Sequence, residues 1–134
     1  MVKRVVLAGN PNVGKSLIFS RITGIGVISA NYAGTTVVLK TGRFNYGQTE
    51  YELFDAPGLY SLEAFSESEA AALALIDNSD IILNVVDSTN LERNLNVTLQ
   101  LLGTGKPMVV CLNFWDDTAH RGVAIDTELL ERLL

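Results

Sequence analysis

Apolar positions along the chain fall into two alternating kinds of segment. Residues 5–8 (Val5-Val6-Leu7-Ala8) form a short continuous apolar run ending at Gly9, the pattern of a buried parallel strand. Residues 14–23 carry Leu17, Ile18 and Ile22 at helical spacing and stop at Gly24. Residues 25–35 contain Gly26, Asn31 and Gly34 with no period, which predicts a loop. Residues 37–46 and 49–54 predict two strands of a hairpin turning at Gly47-Gln48. A second loop follows over 55–66. Ser66-x-x-Glu69 is a capping box, predicting a helix to about residue 77. Residues 81–86 predict a fourth strand. Thr89-x-x-Glu92 predicts another capping box, with Leu91, Leu95, Leu99 and Leu102 as one helical stripe. Residues 107–112 read as a fifth strand, apolar enough to be covered on both faces. Asp126 is expected to cap a last helix carrying Leu129, Leu130, Leu133 and Leu134.

Strands alternating with helices, plus one hairpin, predict an α/β three-layer fold whose sheet is mostly parallel with one antiparallel strand. Ligands in such sheets bind beyond the carboxyl ends of the strands. The 134 residues suit one domain, and 48% apolar content supplies a core. The net charge of −5 comes from interspersed acids and bases, so no basic patch points to a nucleic-acid partner. The single cysteine, Cys111, allows no internal disulfide. Its neighbours Val109, Val110 and Leu112 predict a small, buried, unreactive residue in a reducing setting. No apolar run approaches the roughly 18 residues of a membrane span. The N-terminus lacks the organisation of a signal peptide.

The chemistry concentrates in the strand-end loops. Gly9-Asn10-Pro11-Asn12-Val13-Gly14-Lys15-Ser16 fits G-x-x-x-x-G-K-[ST] at every fixed position. Its glycines let successive backbone N–H groups turn toward a β-phosphate. Lys15 reaches the β- and γ-phosphates, Ser16 ligates Mg²⁺, and the following helix, with Leu17 in its first turn, points its positive end at the anion. From average composition, a chance match in a chain this long is on the order of one in two hundred.

Two further motifs select the base. Asp55-Ala56-Pro57-Gly58 fits D-x-x-G: Asp55 can hold Mg²⁺ through water, and the Gly58 N–H can reach a γ-phosphate. Alone this is a common turn sequence. Asn113-Phe114-Trp115-Asp116 fits N-x-x-D, where Asp116 can accept hydrogen bonds from guanine N1–H and the 2-amino group. Adenine offers neither and would leave the carboxylate unpaired, at a cost of about 1–3 kcal/mol. Phe114 stands where most G proteins have a lysine, which should weaken affinity but spare guanine selectivity. Thr35 and Thr36 both qualify as the mobile-loop threonine that ligates Mg²⁺. Leu59 follows D-x-x-G where many GTPases carry a water-orienting glutamine. Turnover is therefore expected to be slow, or assisted by backbone groups and another cation. His120 reads as a solvated loop residue.

The run of motifs resembles the cytosolic G domain of FeoB-type ferrous-iron transporters. The phosphate loop is similar to their G-N-P-N-x-G-K-[ST], and Asn31-Tyr32-Ala33-Gly34-Thr35-Thr36-Val37 to their N-[WY]-[PA]-G-V-T-V, which implies Thr36 as the Mg²⁺ ligand. Asp55 to Leu62 resembles D-L-P-G-x-Y-S-L. Asn84-Val85-Val86-Asp87-Ser88-Thr89-Asn90-Leu91-Glu92-Arg93-Asn94-Leu95 resembles N-V-V-D-A-[ST]-N-L-E-R-N-L. The resemblance implies GTP and GDP as ligands and a potassium-stimulated GTPase with Asn12 holding K⁺. It also implies attachment, at the cytoplasmic face of the cell membrane, to a permease domain that moves Fe²⁺. Phe114-Trp115 departs from the family's small or aliphatic pair.

Residues 1–134 are thus expected to be a G domain incomplete at its C-terminal end, before a last strand and helix. Self-association through the exposed edge of the fifth strand is a further expectation. Two other readings stay open from the sequence: a GTP/GDP-sensing switch with negligible turnover, and a ribosome-assembly or RNA-modification GTPase of the same superfamily.

Overall fold

Strand β1 (Val2–Ala8) sends Val5 and Leu7 to one side of the sheet and Val6 and Ala8 to the other, because successive side chains of a strand point oppositely. Two cores result. One joins Val6, Ala8, Ala56, Leu59, Ile82 and Val97 with neighbouring residues. The other joins Val5, Leu7, Val13, Phe19, Leu53 and Val85. Each fully buried Leu, Ile or Phe among them contributes about 1.5–3 kcal/mol. The computed structural model of the chain describes residues 1–24 and 26–134. Ile25, first in the expected 25–35 loop, lies outside the described residues.

After β1 come α1 (Lys15–Thr23), β2 (Ile28–Asn31), β3 (Val38–Tyr46), β4 (Thr49–Asp55), α2 (Glu67–Asp77) and β5 (Ile81–Asp87). A 3₁₀ turn (Ser88–Asn90), α3 (Leu91–Leu102), β6 (Met108–Asn113), α4 (Trp115–His120) and α5 (Thr127–Leu133) complete the order. The sheet order is β2-β3-β4-β1-β5-β6. β4, β1, β5 and β6 pair in parallel, while β3 pairs antiparallel with both β2 and β4. β3 alone therefore runs against the rest, as the alternation predicts. α1 packs beside the second core, and α2 and α3 contribute Ala72, Ile76, Val97 and Leu101 to the first.

Several local expectations need correction. β2 lies inside the expected loop; all four of its residues are exposed, so it leaves no hydrophobic period. α4 is also new, and its last residue is His120, exposed on a helix rather than in a loop. The capping box at Thr89 does not form. Instead Asp87 caps the 3₁₀ turn, its Oδ1 accepting from the Thr89 N–H at 2.9 Å and hydroxyl at 2.6 Å. The leucine stripe of α3 is not its buried face: Leu99 is 58% exposed, while Asn94, Val97, Thr98 and Leu101 are buried. β6 is an edge strand rather than one covered on both faces, with Val109 58% exposed. Cys111 on it is only half-buried, and that burial still pushes its thiol above the usual range. The expected caps at Ser66 and Asp126 do form: Ser66 Oγ accepts from the Glu69 N–H at 3.2 Å, and Asp126 Oδ1 from the Leu129 N–H at 3.0 Å.

Candidate functional site

The carboxyl ends of β1, β4 and β6 carry the three motifs, and parallel pairing brings them to one edge of the sheet. A cleft of about 810 Å³ opens there. Of the expected nucleotide and metal residues, Pro11, Asn12, Gly14, Lys15, Ser16, Leu17, Thr36, Asp55, Ala56, Pro57 and Gly58 all line it.

The loop from Gly9 to Ser16 wraps its own lysine. Lys15 Nζ donates to the Asn10 carbonyl at 2.8 Å and to the Gly9 carbonyl at 3.4 Å, and the residue is only 8% exposed. Burial holds the ammonium below the usual lysine value, with Asp55 pulling weakly the other way. An incoming phosphate would relieve that burden. The loop needs unusual backbone: Asn12 sits at φ 62° and Gly14 at φ 91°. Gly14 is also the N-cap of α1, with no side chain covering the free N–H groups of the first turn. A Cβ on Gly14 would collide with the Asn113 side-chain amide. One on Gly58 would lie 2.7 Å from the Pro11 backbone, so Gly58 can be only glycine while these two loops touch.

Ser16 Oγ donates to Asp55 Oδ2 at 3.0 Å. Burial raises the Asp55 carboxyl above its ordinary value; the Ser16 hydrogen bond, then Lys15 and Lys40, oppose this. Hydroxyl and carboxylate oxygens with Thr36 on the cleft wall are the hard oxygen donors that suit Mg²⁺, which usually takes one or two carboxylates plus phosphate oxygens. Among the described residues no cluster of three or more His, Cys, Asp or Glu could hold a metal. The Thr35 hydroxyl is occupied elsewhere: it donates to the Tyr32 carbonyl at 2.8 Å and accepts from the Val37 N–H at 3.1 Å. That turn leaves Thr36 as the threonine facing the cleft.

Leu59 is 1% exposed within the first core, and its N–H donates to the Gly9 carbonyl at 2.9 Å. A glutamine in its place would bury its amide among Val6, Ala8 and Ile82, which explains an apolar residue there. On the base side, Asn113 Nδ2 donates to the Val13 carbonyl at 2.9 Å and ties β6 to the phosphate loop. Phe114 takes φ 56° and heads α4, whose first turn carries the exposed Asp116. Asn113, Asp116, Gly9, Asn10 and Val13 do not line the main cleft; Gly9, Asn10 and Val13 form the back of the loop, where each is buried.

Lys40 escaped the sequence reading. It lines the cleft and lies directly opposite Asp55 on the β3–β4 ladder. The signal was present: once Tyr46 pairs with Thr49 across the turn, counting outward along both strands puts Lys40 beside Asp55.

A profile of the family described as ferrous iron transport protein B matches residues 3–134. The Fe(2+) transporter FeoB of Legionella pneumophila (strain Lens) is 46% identical over 135 residues, covering 96% of this chain and 18% of the relative. The chain therefore spans about a fifth of that protein's length. The solved cytosolic domain of L. pneumophila FeoB superposes with TM-score 0.92 at 43% identity, covering 98% of this chain and 59% of that one. A GDP-bound point variant of S. thermophilus NFeoB gives TM-score 0.89 at 39% identity, covering 97% and 52%. No helix among the described residues is long and apolar enough to cross a membrane.

Proposed function

Because the chain belongs to the ferrous iron transport protein B family, we propose that it is the G domain of a ferrous-iron membrane transporter, binding GTP–Mg²⁺ and hydrolysing it slowly to GDP and phosphate. The observation that carries this reading is the phosphate loop itself, with Lys15 caged by carbonyls and Ser16 bonded to Asp55 at the cleft floor.

Lys15 exchanges its carbonyl partners for the β- and γ-phosphate oxygens and opposes the charge that develops as the terminal phosphoryl group leaves. Ser16 and Thr36 would hold Mg²⁺ directly and Asp55 through water. When bound, the ion would supply positive charge against the charge developing on the phosphate. The Gly58 N–H marks the γ-phosphate, and Asn113 and Asp116 read the guanine. Asn12 lines the cleft from a left-handed backbone position, so its side-chain amide oxygen can serve a K⁺ beside the phosphates. The remainder of the full-length protein, a membrane permease at whose cytoplasmic face this domain sits, is the partner that reads the nucleotide state.

GTP turnover is expected to be higher in K⁺ than in Na⁺ by about an order of magnitude, the effect of one well-placed charge-stabilising contact. Asn12→Ala should remove the difference. Equal rates in the two salts would leave K⁺ without a role. The buried Leu59 favours a second reading, a GTP/GDP switch with negligible turnover; a single-turnover assay in K⁺ separates the two.

β6 offers the outer side of an edge strand, with Val109 exposed, for pairing with a second copy. Light scattering is expected to show dimers as concentration rises, and a monomer at every concentration would remove this partner.

A further inference from the structure

Past Gly58 the chain runs through a loop that makes few backbone hydrogen bonds of its own. Its first residues, 59–62, are fastened at three points. The first is Leu59, whose side chain is buried and whose N–H donates to the Gly9 carbonyl. The other two come from one helix. Asn96 Nδ2 donates to the Tyr60 carbonyl at 3.2 Å, and Gln100 Oε1 accepts from the Leu62 N–H at 2.7 Å. Asn96 and Gln100 are four residues apart and share a face of α3, so they grip the loop as a pair.

The helix that carries them cannot easily shift. Val97 and Leu101, one residue on from each, are 1% and 0% exposed in the first core. Thr98 donates to Asn84 Oδ1 at 2.6 Å, and Asn84 Nδ2 donates to the Ala8 carbonyl at 3.0 Å, just before the phosphate loop. Asn94 Oδ1 accepts from the Asp87 N–H at 3.1 Å, and Asp87 is the β5 partner of Asn113. One helix is thus hydrogen-bonded to the loop after Gly58 and, twice, to β5, whose Asn84 in turn bonds the strand that feeds the phosphate loop and whose Asp87 lies beside the base motif.

The geometry points to Asn96 and Gln100 as positioning residues for GTP turnover: by fixing Tyr60 and Leu62 they hold the Gly58 N–H where a γ-phosphate is met. This rests on the reading of the site as a GTPase centre. GDP lacks the γ-phosphate, so its binding does not depend on the grip.

The two amides play opposite parts, and that gives the test. Asn96 acts as a donor, so Asn96→Asp abolishes its bond at equal size. Gln100 acts as an acceptor, so Gln100→Glu keeps its bond while Gln100→Ala loses it. GTP kcat is expected to fall about fivefold in Asn96→Asp and in Gln100→Ala, the effect of one hydrogen bond, and to stay within about twofold in Gln100→Glu. GDP affinity and thermal midpoint should hold in all three. The proposal is overturned if kcat is unchanged in the first two, if Gln100→Glu behaves like Gln100→Ala, or if GDP affinity falls in step with turnover. If the wild-type chain binds GDP but never turns over GTP, the hydrolysis reading fails by itself. The grip is then read from the affinity ratio of a non-hydrolysable GTP analogue to GDP. That ratio should drop about fivefold in Asn96→Asp and Gln100→Ala alone, and a constant ratio overturns the role.

Discussion

Lys15→Met is expected to abolish measurable binding of GDP and GTP while leaving the nucleotide-free fold at least as stable as before. The lysine lies buried at the cleft floor, where its Nζ donates to loop carbonyls at 2.8 and 3.4 Å. Losing its charge-assisted contacts to two phosphates should weaken binding by about a thousandfold or more, since each such bond is worth about 1.5–3 kcal/mol. The stability effect has the opposite sign. Folding takes the ammonium out of water, so the folded chain holds that proton less tightly than the unfolded chain. At neutral pH the charge therefore costs stability, and methionine, with a similar stem, relieves that cost. The relief should fade as pH rises through the interval between the depressed folded value and the ordinary lysine value, where the wild type loses the charge on folding. Titration calorimetry with GDP and a thermal melt without nucleotide check the two halves. Unchanged GDP affinity would remove the phosphate loop from the site.

Asp116→Asn is expected to invert the base preference from guanine toward xanthine. The asparagine amide can donate to the xanthine 2-oxo group and still accept from N1–H, whereas against guanine its NH₂ faces another amino group. One lost charge-assisted bond weakens GTP binding about 10- to 100-fold, and XTP should gain by a comparable factor. The substitution leaves the Asn113–Val13 tie untouched, so loop geometry persists. Competition of GTP and XTP for the variant decides it; a variant that still prefers GTP would mean that Asp116 does not read the base.

What the sequence disclosed was local or periodic. The phosphate loop, the hairpin turn at Gly47-Gln48 and the caps at Ser66 and Asp126 depend on neighbours a few residues apart, and each is found where its residues predict. β2 was hidden because its pairing with β3 uses backbone alone and its side chains all face water. α4 is too short to show a period. The leucine stripe of α3 did not disclose its buried face, since Leu99 faces solvent. Its buried face instead includes Asn94 and Thr98, polar residues made tolerable by Asp87 and Asn84 on β5, partners that only the packing of α3 on the sheet supplies. Spacing alone did not separate Thr35 from Thr36; the resemblance implied Thr36, and the Thr35 hydroxyl is taken up by its own turn. Leu59 was legible as an oddity but not as a core residue, since its burial depends on β1 and β5 meeting beneath it.

The most direct measurement is displacement of a fluorescent GDP from the wild-type chain by GTP and by ATP in the presence of Mg²⁺. Displacement by GTP at concentrations about 10- to 100-fold below those needed for ATP is the expected result, because adenine leaves the Asp116 carboxylate unpaired. Equal displacement by ATP, or no binding of GDP at all, would contradict a guanine-nucleotide site built from Lys15, Asp55 and Asp116.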